Sequence, residues 1–383
     1  MVAIKNTFKD FFKNEKSGGL ILILCTIVSL LIANSTIGHS YIDLWNIPLG
    51  SHTLVEWIND GLMAIFFFLI GLELVENAKD GDLSDIRSAM LPVSAAFGGM
   101  LVPAGIYLAL NWGTATESGA GIPMATDIAF ALGVLSLFGK RVPLSLKVFL
   151  TALAVIDDLG AIIVIAVFYT SDLSATYLFG SLGVFALLMI LNFGFKIKSL
   201  IPYLLGGVIM WYLMLNSGVH ATIAGVLLAI AIPYRRGDSK KNPNKILQHF
   251  LHYPVAFWIL PIFALANTAI HLEGNWDNAL GEPFAQGILL GLIVGKPIGI
   301  GLFSYLSVKL KLCKLPDDMT WAKLFSVGIL GGIGFTMSIF ISLLAFEDQY
   351  HINEAKLMIM LASLTSGIIG FLVLREVALK KKK

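Results

Sequence analysis

Charge is scarce in this sequence: of 383 residues only 14% are Asp, Glu, Lys or Arg, against about a quarter in soluble domains. With 57% of residues apolar and a mean hydropathy of +0.81, an ordinary water-soluble globule is excluded. Cysteine is nearly absent. Cys25 falls in an apolar run and Cys313 in a basic loop, so neither a disulfide framework nor a zinc site is available. A net charge of +2 leaves no basic surplus for nucleic acid once the loops are accounted for. No nucleophile stands paired with a base and no cofactor fingerprint occurs, which argues against an enzyme. Nor is there room for a separate soluble domain, because the longest stretches between apolar runs are 35–55 and 233–251.

What is present is a series of apolar runs, most of the roughly 17 to 25 residues needed to cross a hydrocarbon core. They fall at 18–34, 56–74, 88–110, 121–138, 145–168, 176–194, 200–215, 219–232, 252–270, 284–307, 322–345 and 355–375. The reading is an all-α membrane protein of about twelve transmembrane helices, one transmembrane domain over 1–383. The basic-then-apolar start is taken as the first helix rather than a secretory signal, since no small-x-small cleavage site follows it.

Basic residues test the count. Lys5, Lys9, Lys13 and Lys16 lead the chain, and every second joint is basic after that: Lys79 and Arg87, then Lys140, Arg141 and Lys147, then Lys196 and Lys198. The series continues with Arg235, Arg236, Lys240, Lys241 and Lys245, with Lys309, Lys311, Lys314 and Lys323, and with Arg375 and Lys380 to Lys383. The joints at 35–55, 111–120, 169–175, 216–218, 271–283 and 346–354 have no Lys or Arg. Because loops on the cytoplasmic side of a bacterial inner membrane are enriched in these residues, the alternation predicts a multi-pass chain with both termini inside. Of the 27 basic residues two are left over. Lys356 is placed at the outer mouth of the last span, free to snorkel. Lys296 lies mid-span, where a cation is a functional-site hypothesis by default.

The intramembrane acids are Asp60, Asp127, Asp157 and Asp158. A bare charge against lipid costs at least about 2.5 kcal/mol at a helix centre, so these groups are expected to converge on the interior or on a wet cavity. Asp60 is read as a carboxylate serving a helix N-terminus. Asp157 and Asp158 point roughly 100° apart and can border one cavity. Two carboxylates there resist being ionised together unless a cation or a lysine offsets them. Protons and a small hard cation then compete for the same oxygens, which is what exchange requires. The structural alternative is a set of buried ion pairs locking helices, with Lys296 as the cation, but four acids and one base leave negative charge that stability alone does not favour.

Two spans look interrupted. The fourth has Pro123 before Thr126 and Asp127, and the eleventh runs Gly328-Ile329-Leu330-Gly331-Gly332-Ile333-Gly334-Phe335-Thr336-Met337-Ser338. Glycine and proline weaken a helix, and unwinding is tolerated in a membrane only beside protein or a cavity. Each is second in a triple of spans, 86–168 and 284–375, and the triples start from opposite sides, which makes them inverted repeats with two crossed discontinuous helices. Asp127 and Lys296 are placed to neutralise the positive and negative half-helix ends.

At this point the residues resemble the NhaA-type sodium/proton antiporters over essentially the full length. The motifs are Ala125-Thr126-Asp127-Ile128-Ala129-Phe130, Leu153-Ala154-Val155-Ile156-Asp157-Asp158, Ser217-Gly218-Val219-His220, Gly295-Lys296-Pro297 and the glycine run from Gly331 to Ser338. Interrupted helices in matching places of two halves mark a midplane site, a rule that this family itself helped to establish. The resemblance implies that Asp157, Asp158 and Thr126 bind the exchanged ions, and that Asp127 and Lys296 compensate charge, Lys296 also pairing with Asp157. It implies electrogenic extrusion of Na+ or Li+ against H+, no cofactor beyond the transported ions, and a role in pH homeostasis. It also implies a homodimer joined partly by an outer β-hairpin within 35–55, with Trp45 to Ser51 as the candidate turn.

One departure stands out. The family usually runs Gly-Leu-Glu-Val-Lys-Arg-Glu at the inner end of the second span, where this chain has Gly71-Leu72-Glu73-Leu74-Val75-Glu76-Asn77, and Gln248 stands where an acid is frequent. Glu73, Glu76, His249 and His252 remain as candidates for the family's pH-sensing funnel, and the missing charges predict a shifted or flatter pH profile. A sodium-coupled symporter of a small organic anion is the main rival, for which an intramembrane Arg or a roomier polar pocket would be expected. A non-transporting energy-coupling subunit, its acids serving only a proton wire, is another.

Overall fold

The computed structural model describes residues 15–81, 86–169, 173–235, 242–272 and 280–379. Lys5, Lys9, Lys13, Arg236, Lys240, Lys241 and Lys380 to Lys383 lie outside the described residues.

In chain order the principal elements begin with α1 (Glu15–Ala33), α2 (Gly38–Trp45), strands β1 (Pro48–Leu49) and β2 (His52–Thr53), α3 (Leu54–Lys79) and α4 (Ile86–Asn111). A 3₁₀ stretch Glu117–Met124 leads to α5 (Ile128–Ser136), followed by α6 (Leu144–Phe168), α7 (Ala175–Phe193), α8 (Ile201–Leu215) and α9 (Thr222–Ala231). The chain closes with α10 (Pro243–Asn267), α11 (Pro283–Lys309), α12 (Trp321–Gly331), α13 (Phe335–Ala345) and α14 (Gln349–Leu379).

The protein is an all-α membrane protein. Among the described residues eight helical spans are long and apolar enough to cross a bilayer, nine if α12 and α13, bent by 45° at their junction, count as one. Ser17–Ala33, α8 and α9 are shorter apolar helices. Large apolar side chains such as Phe179, Ile190, Val208 and Ile209 stand exposed on α7 and α8, as expected where the surrounding solvent is hydrocarbon.

One compact unit comprises Leu31–Ser84 and Ile162–Ala269. Its centre is where α3 meets α9: a Cβ on Gly225 would fall 2.2 Å from the Ala64 carbonyl oxygen, so only glycine permits this approach. Leu72, Tyr203, Met210, Met214 and Leu228 pack around the contact. The hairpin pairs Pro48 with Thr53 and Leu49 with His52. Gly50 supplies the positive φ of 75° that the two-residue turn needs, and the Trp57 indole donates to the Leu49 carbonyl at 2.8 Å.

The other unit comprises Met1–Leu30, Asp85–Ala161 and Ile270–Lys383. Here α4 and α11 cross at a pair of glycines: a Cβ on Gly98 would sit 2.3 Å from the Gly299 carbonyl oxygen, and one on Gly299 2.1 Å from that of Gly98. This contact fixes the stretch of α11 that carries Lys296. A π turn at Gly291–Gly295 in the same helix fits against Pro103 of α4 and Pro123.

Three local readings are corrected. Helix α10 starts at Pro243 rather than 252, because Asn242 caps it through the Asn244 N–H at 3.2 Å and proline suits the first helical position. Hydropathy marks where lipid begins, whereas caps mark where the helix begins. Asp60 is no helix cap: Thr53 and Glu56 form a capping box at the start of α3, and Asp60 lies in a π turn, Ile58–Leu62, whose Asp60 carbonyl accepts the Trp211 indole N–H at 3.0 Å. Lys356 is buried rather than free at the surface: helix α14 begins at Gln349, which draws Lys356 two turns inside, where the residue is 7% exposed.

Candidate functional site

Helix α6 carries Asp157 and Asp158 without a break, both buried. Opposite them α11 supplies Lys296, 0% exposed, and its ammonium donates to Asp157 Oδ2. Thr126, in the extended Ala125–Asp127 link between the 3₁₀ stretch and α5, aims its hydroxyl at that same oxygen at 2.8 Å and at the Gly331 carbonyl at 2.9 Å. One hydroxyl has one proton, so it serves one of these acceptors fully at a time. Asp157 Oδ1 is buried and has no hydrogen-bond partner among the described residues.

Asp127 organises the two chain breaks. Its N–H donates to the Ile333 carbonyl at 2.6 Å. Its Oδ1 accepts the Phe130 N–H at 2.9 Å, capping α5. Its Oδ2 accepts the Thr336 N–H at 3.1 Å and the Thr336 hydroxyl at the start of α13. A carboxylate at two helix N-termini stabilises both partial positive ends. Ser338 donates across to the Ile122 carbonyl at 2.7 Å, and Ser363 of α14 accepts the Phe335 N–H at 3.0 Å. Most backbone groups that unwinding would orphan in a dry interior are thus given partners.

The arrangement can hold a small hard cation or protons. Carboxylate, hydroxyl and backbone carbonyl oxygens lie together in a buried place, and a resident ammonium competes for one of them.

Compared with known proteins, residues 9–374 match the family described as Na+/H+ antiporter 1. The chain belongs to that family. The protein named Na(+)/H(+) antiporter NhaA from Flavobacterium psychrophilum is 62% identical over 374 residues, covering 98% of this chain and 97% of that one. Na(+)/H(+) antiporter NhaA 1 of Flavobacterium johnsoniae is 59% identical over 99% of both chains, and its counterpart from Cytophaga hutchinsonii is 56% identical over 97% of this chain and 96% of its own. Membership in the Na+/H+ antiporter 1 family makes the chain a transporter and not an enzyme.

The structure gathers Thr126, Asp127, Asp157, Asp158 and Lys296 in one unit. Glu73, Glu76, His249 and His252 lie in the other. There Glu76 pairs with Lys245 at 2.8 Å, while His249 and His252 are exposed on α10. Sequence reasoning passed over Thr336 and Ser363, whose only signal was a hydroxyl beside or facing a glycine run. It also passed over Asn244 and read Gln248 only as a missing acid; the amides of both donate to the Leu72 carbonyl, at 3.2 and 3.1 Å.

Proposed function

We propose that this protein exchanges sodium, or lithium, for protons across a bacterial inner membrane by alternating access, with Asp157 and Asp158 as the shared site. The observation that carries the reading is the two-sided state of Asp157: one oxygen is held by Lys296 and Thr126, and the other is buried with no hydrogen-bond partner among the described residues. A buried acceptor without a partner is costly, and a desolvated alkali ion or a proton relieves that cost.

In this reading sodium arriving from the inside takes oxygens of Asp157 and Asp158 and displaces their protons. On the half of the cycle in which Asp157 carries neither proton nor sodium, the Lys296 ammonium holds its carboxylate, and the Thr126 hydroxyl turns between Asp157 and the Gly331 carbonyl as the charge state changes. The loaded site then faces outward, and external protons return it inward. If both acids release protons when one sodium binds, each cycle moves net charge and the exchange is electrogenic, two protons to one sodium.

The triples 86–168 and 284–375 are read as inverted repeats whose interrupted members cross at Asp127, within twelve crossings that leave both termini cytoplasmic. The alternation of basic and non-basic joints supports that topology. The names of the relatives support sodium and protons as the exchanged ions, and the exposed strand β1 supports a homodimer joined along the hairpin.

The test is sodium-dependent dequenching of a pH dye in everted vesicles. The unmodified chain is expected to respond to sodium and lithium, and Asp157→Asn and Asp158→Asn to be silent at equal expression. Unimpaired exchange after both acids become amides would overturn the assignment.

A further inference from the structure

We propose that the groove between α11 and α12 binds an anionic phospholipid of the leaflet on the side of the lysine-rich 309–323 loop. The groove has a volume of about 390 Å³ and is lined by Ile298, Gly301, Leu302, Tyr305, Trp321 and Phe325 among others. The large side chains of this set are all between 39% and 49% exposed, and Gly301 leaves the floor low: a Cβ there would already touch the Phe325 ring at 3.4 Å.

The layering of side chains along the groove follows the chemistry of a lipid. Ile298, Gly301, Leu302 and Tyr305 recur at the three-to-four-residue spacing of one helix face, and Lys309 is next on that face. From Ile298 to Lys309 the helix rises about 16 Å, close to half of a hydrocarbon core of roughly 30 Å. One acyl chain fits that depth. At the end of the apolar floor Tyr305 and Trp321 meet edge to face at 5.6 Å between ring centroids, the pair of residue types that marks the headgroup level. Beyond them stands the charge: Lys309 lies 6.0 Å from the Tyr305 ring centroid, and Lys323 donates to the Asp318 carbonyl at 3.1 Å.

Lys309, Lys311 and Lys314 are exposed and Lys323 is half-buried, against the acids Asp317 and Asp318 in the same loop, so the mouth is net positive. A zwitterionic headgroup gains little from such a mouth; a phosphatidylglycerol-like anion gains from each lysine near it.

The test uses the full chain in nanodiscs with a phosphatidylglycerol analogue carrying a diazirine on its acyl tail, and a phosphatidylcholine analogue with the same tail. Mass spectrometry is expected to find adducts concentrated on residues 298–325 for the anionic lipid. Labelling should fall roughly fivefold for each lysine neutralised in Lys309→Gln and Lys323→Gln, and Gly301→Leu should displace the tail and remove the adducts. Should Gly301→Leu fail to fold, the two lysine variants carry the test. Equal labelling by the two lipids, lysine variants that label like the unmodified chain, or adducts spread evenly over Phe179, Ile209 and the groove would each overturn the proposal.

Discussion

The Oδ2 oxygen of Asp127 accepts both the backbone N–H and the hydroxyl of Thr336, 209 residues further along the chain. The same carboxylate caps α5 through Phe130, so one side chain closes two half-helices that would otherwise present bare N–H groups to a dry interior.

Asp127→Ala is therefore expected to lower stability by about 3 kcal/mol, combining a lost cap with buried donors left unpaired. Asp127→Asn keeps one acceptor oxygen and should cost roughly half as much. Thermal unfolding of both variants in detergent checks the order; equal midpoints would show that the carboxylate does not hold the breaks together.

Lys296 and Asp157 form a buried pair, and removing one partner leaves the other stranded. Lys296→Met alone is expected to destabilise by roughly 3–5 kcal/mol, and Asp157→Asn added to it should restore part of the loss. A double-mutant cycle on unfolding midpoints measures the coupling. Additive effects would mean that the pair contributes nothing to folding.

Thr126 supplies one hydroxyl to two acceptors. Thr126→Val removes it at nearly constant shape, and the expected result is a higher KM for sodium by about tenfold with a smaller change in maximal rate, since the proposed ion site loses one oxygen. Thr126→Ser should behave like the unmodified protein. A valine variant with unchanged KM would remove Thr126 from the ion site.

The Lys79 end of α3 lacks the Lys-Arg pair of the motif usual in the family, and two neutral amides of α10 meet it: Asn244 and Gln248 both hold the Leu72 carbonyl, with the Glu76–Lys245 pair beside them. Amides carry no titrating charge, so this end of α3 has fewer ionisable groups than the family's charged motif supplies, Glu73 and Glu76 being the acids that remain. Exchange measured from about pH 6 to about pH 9 is expected to vary weakly compared with relatives carrying the charged motif. A steep alkaline rise would refute this.

Much of the fold was legible because lipid imposes strict rules. Every apolar run long enough to span reads as a helix, since no other open backbone satisfies its own hydrogen bonds in hydrocarbon. The fourth and eleventh runs announced their breaks through Pro123 and the glycines at 328–334, and the structure interrupts them at Ala125–Asp127 and Gly332–Gly334. Helix ends were less legible. The start of α10 depends on Asn242 and Pro243, a polar cap outside the apolar run, and the burial of Lys356 depends on which side of α14 meets its neighbours.

By itself the sequence determined that a few charges are stranded among apolar helices, and which ones: Asp127, Asp157, Asp158 and Lys296 stand out because hydrocarbon penalises charge wherever the helices go. Only the tertiary structure decided how they are used. Whether Lys296 meets Asp157, whether Thr126 reaches both Asp157 and Gly331, and that Asp127 serves Thr336 are matters of contact between segments up to 209 residues apart. Such contacts are set by the close approach of α4 and α11 at Gly98 and Gly299 and by the fit of the broken helices, and no local pattern encodes those distances.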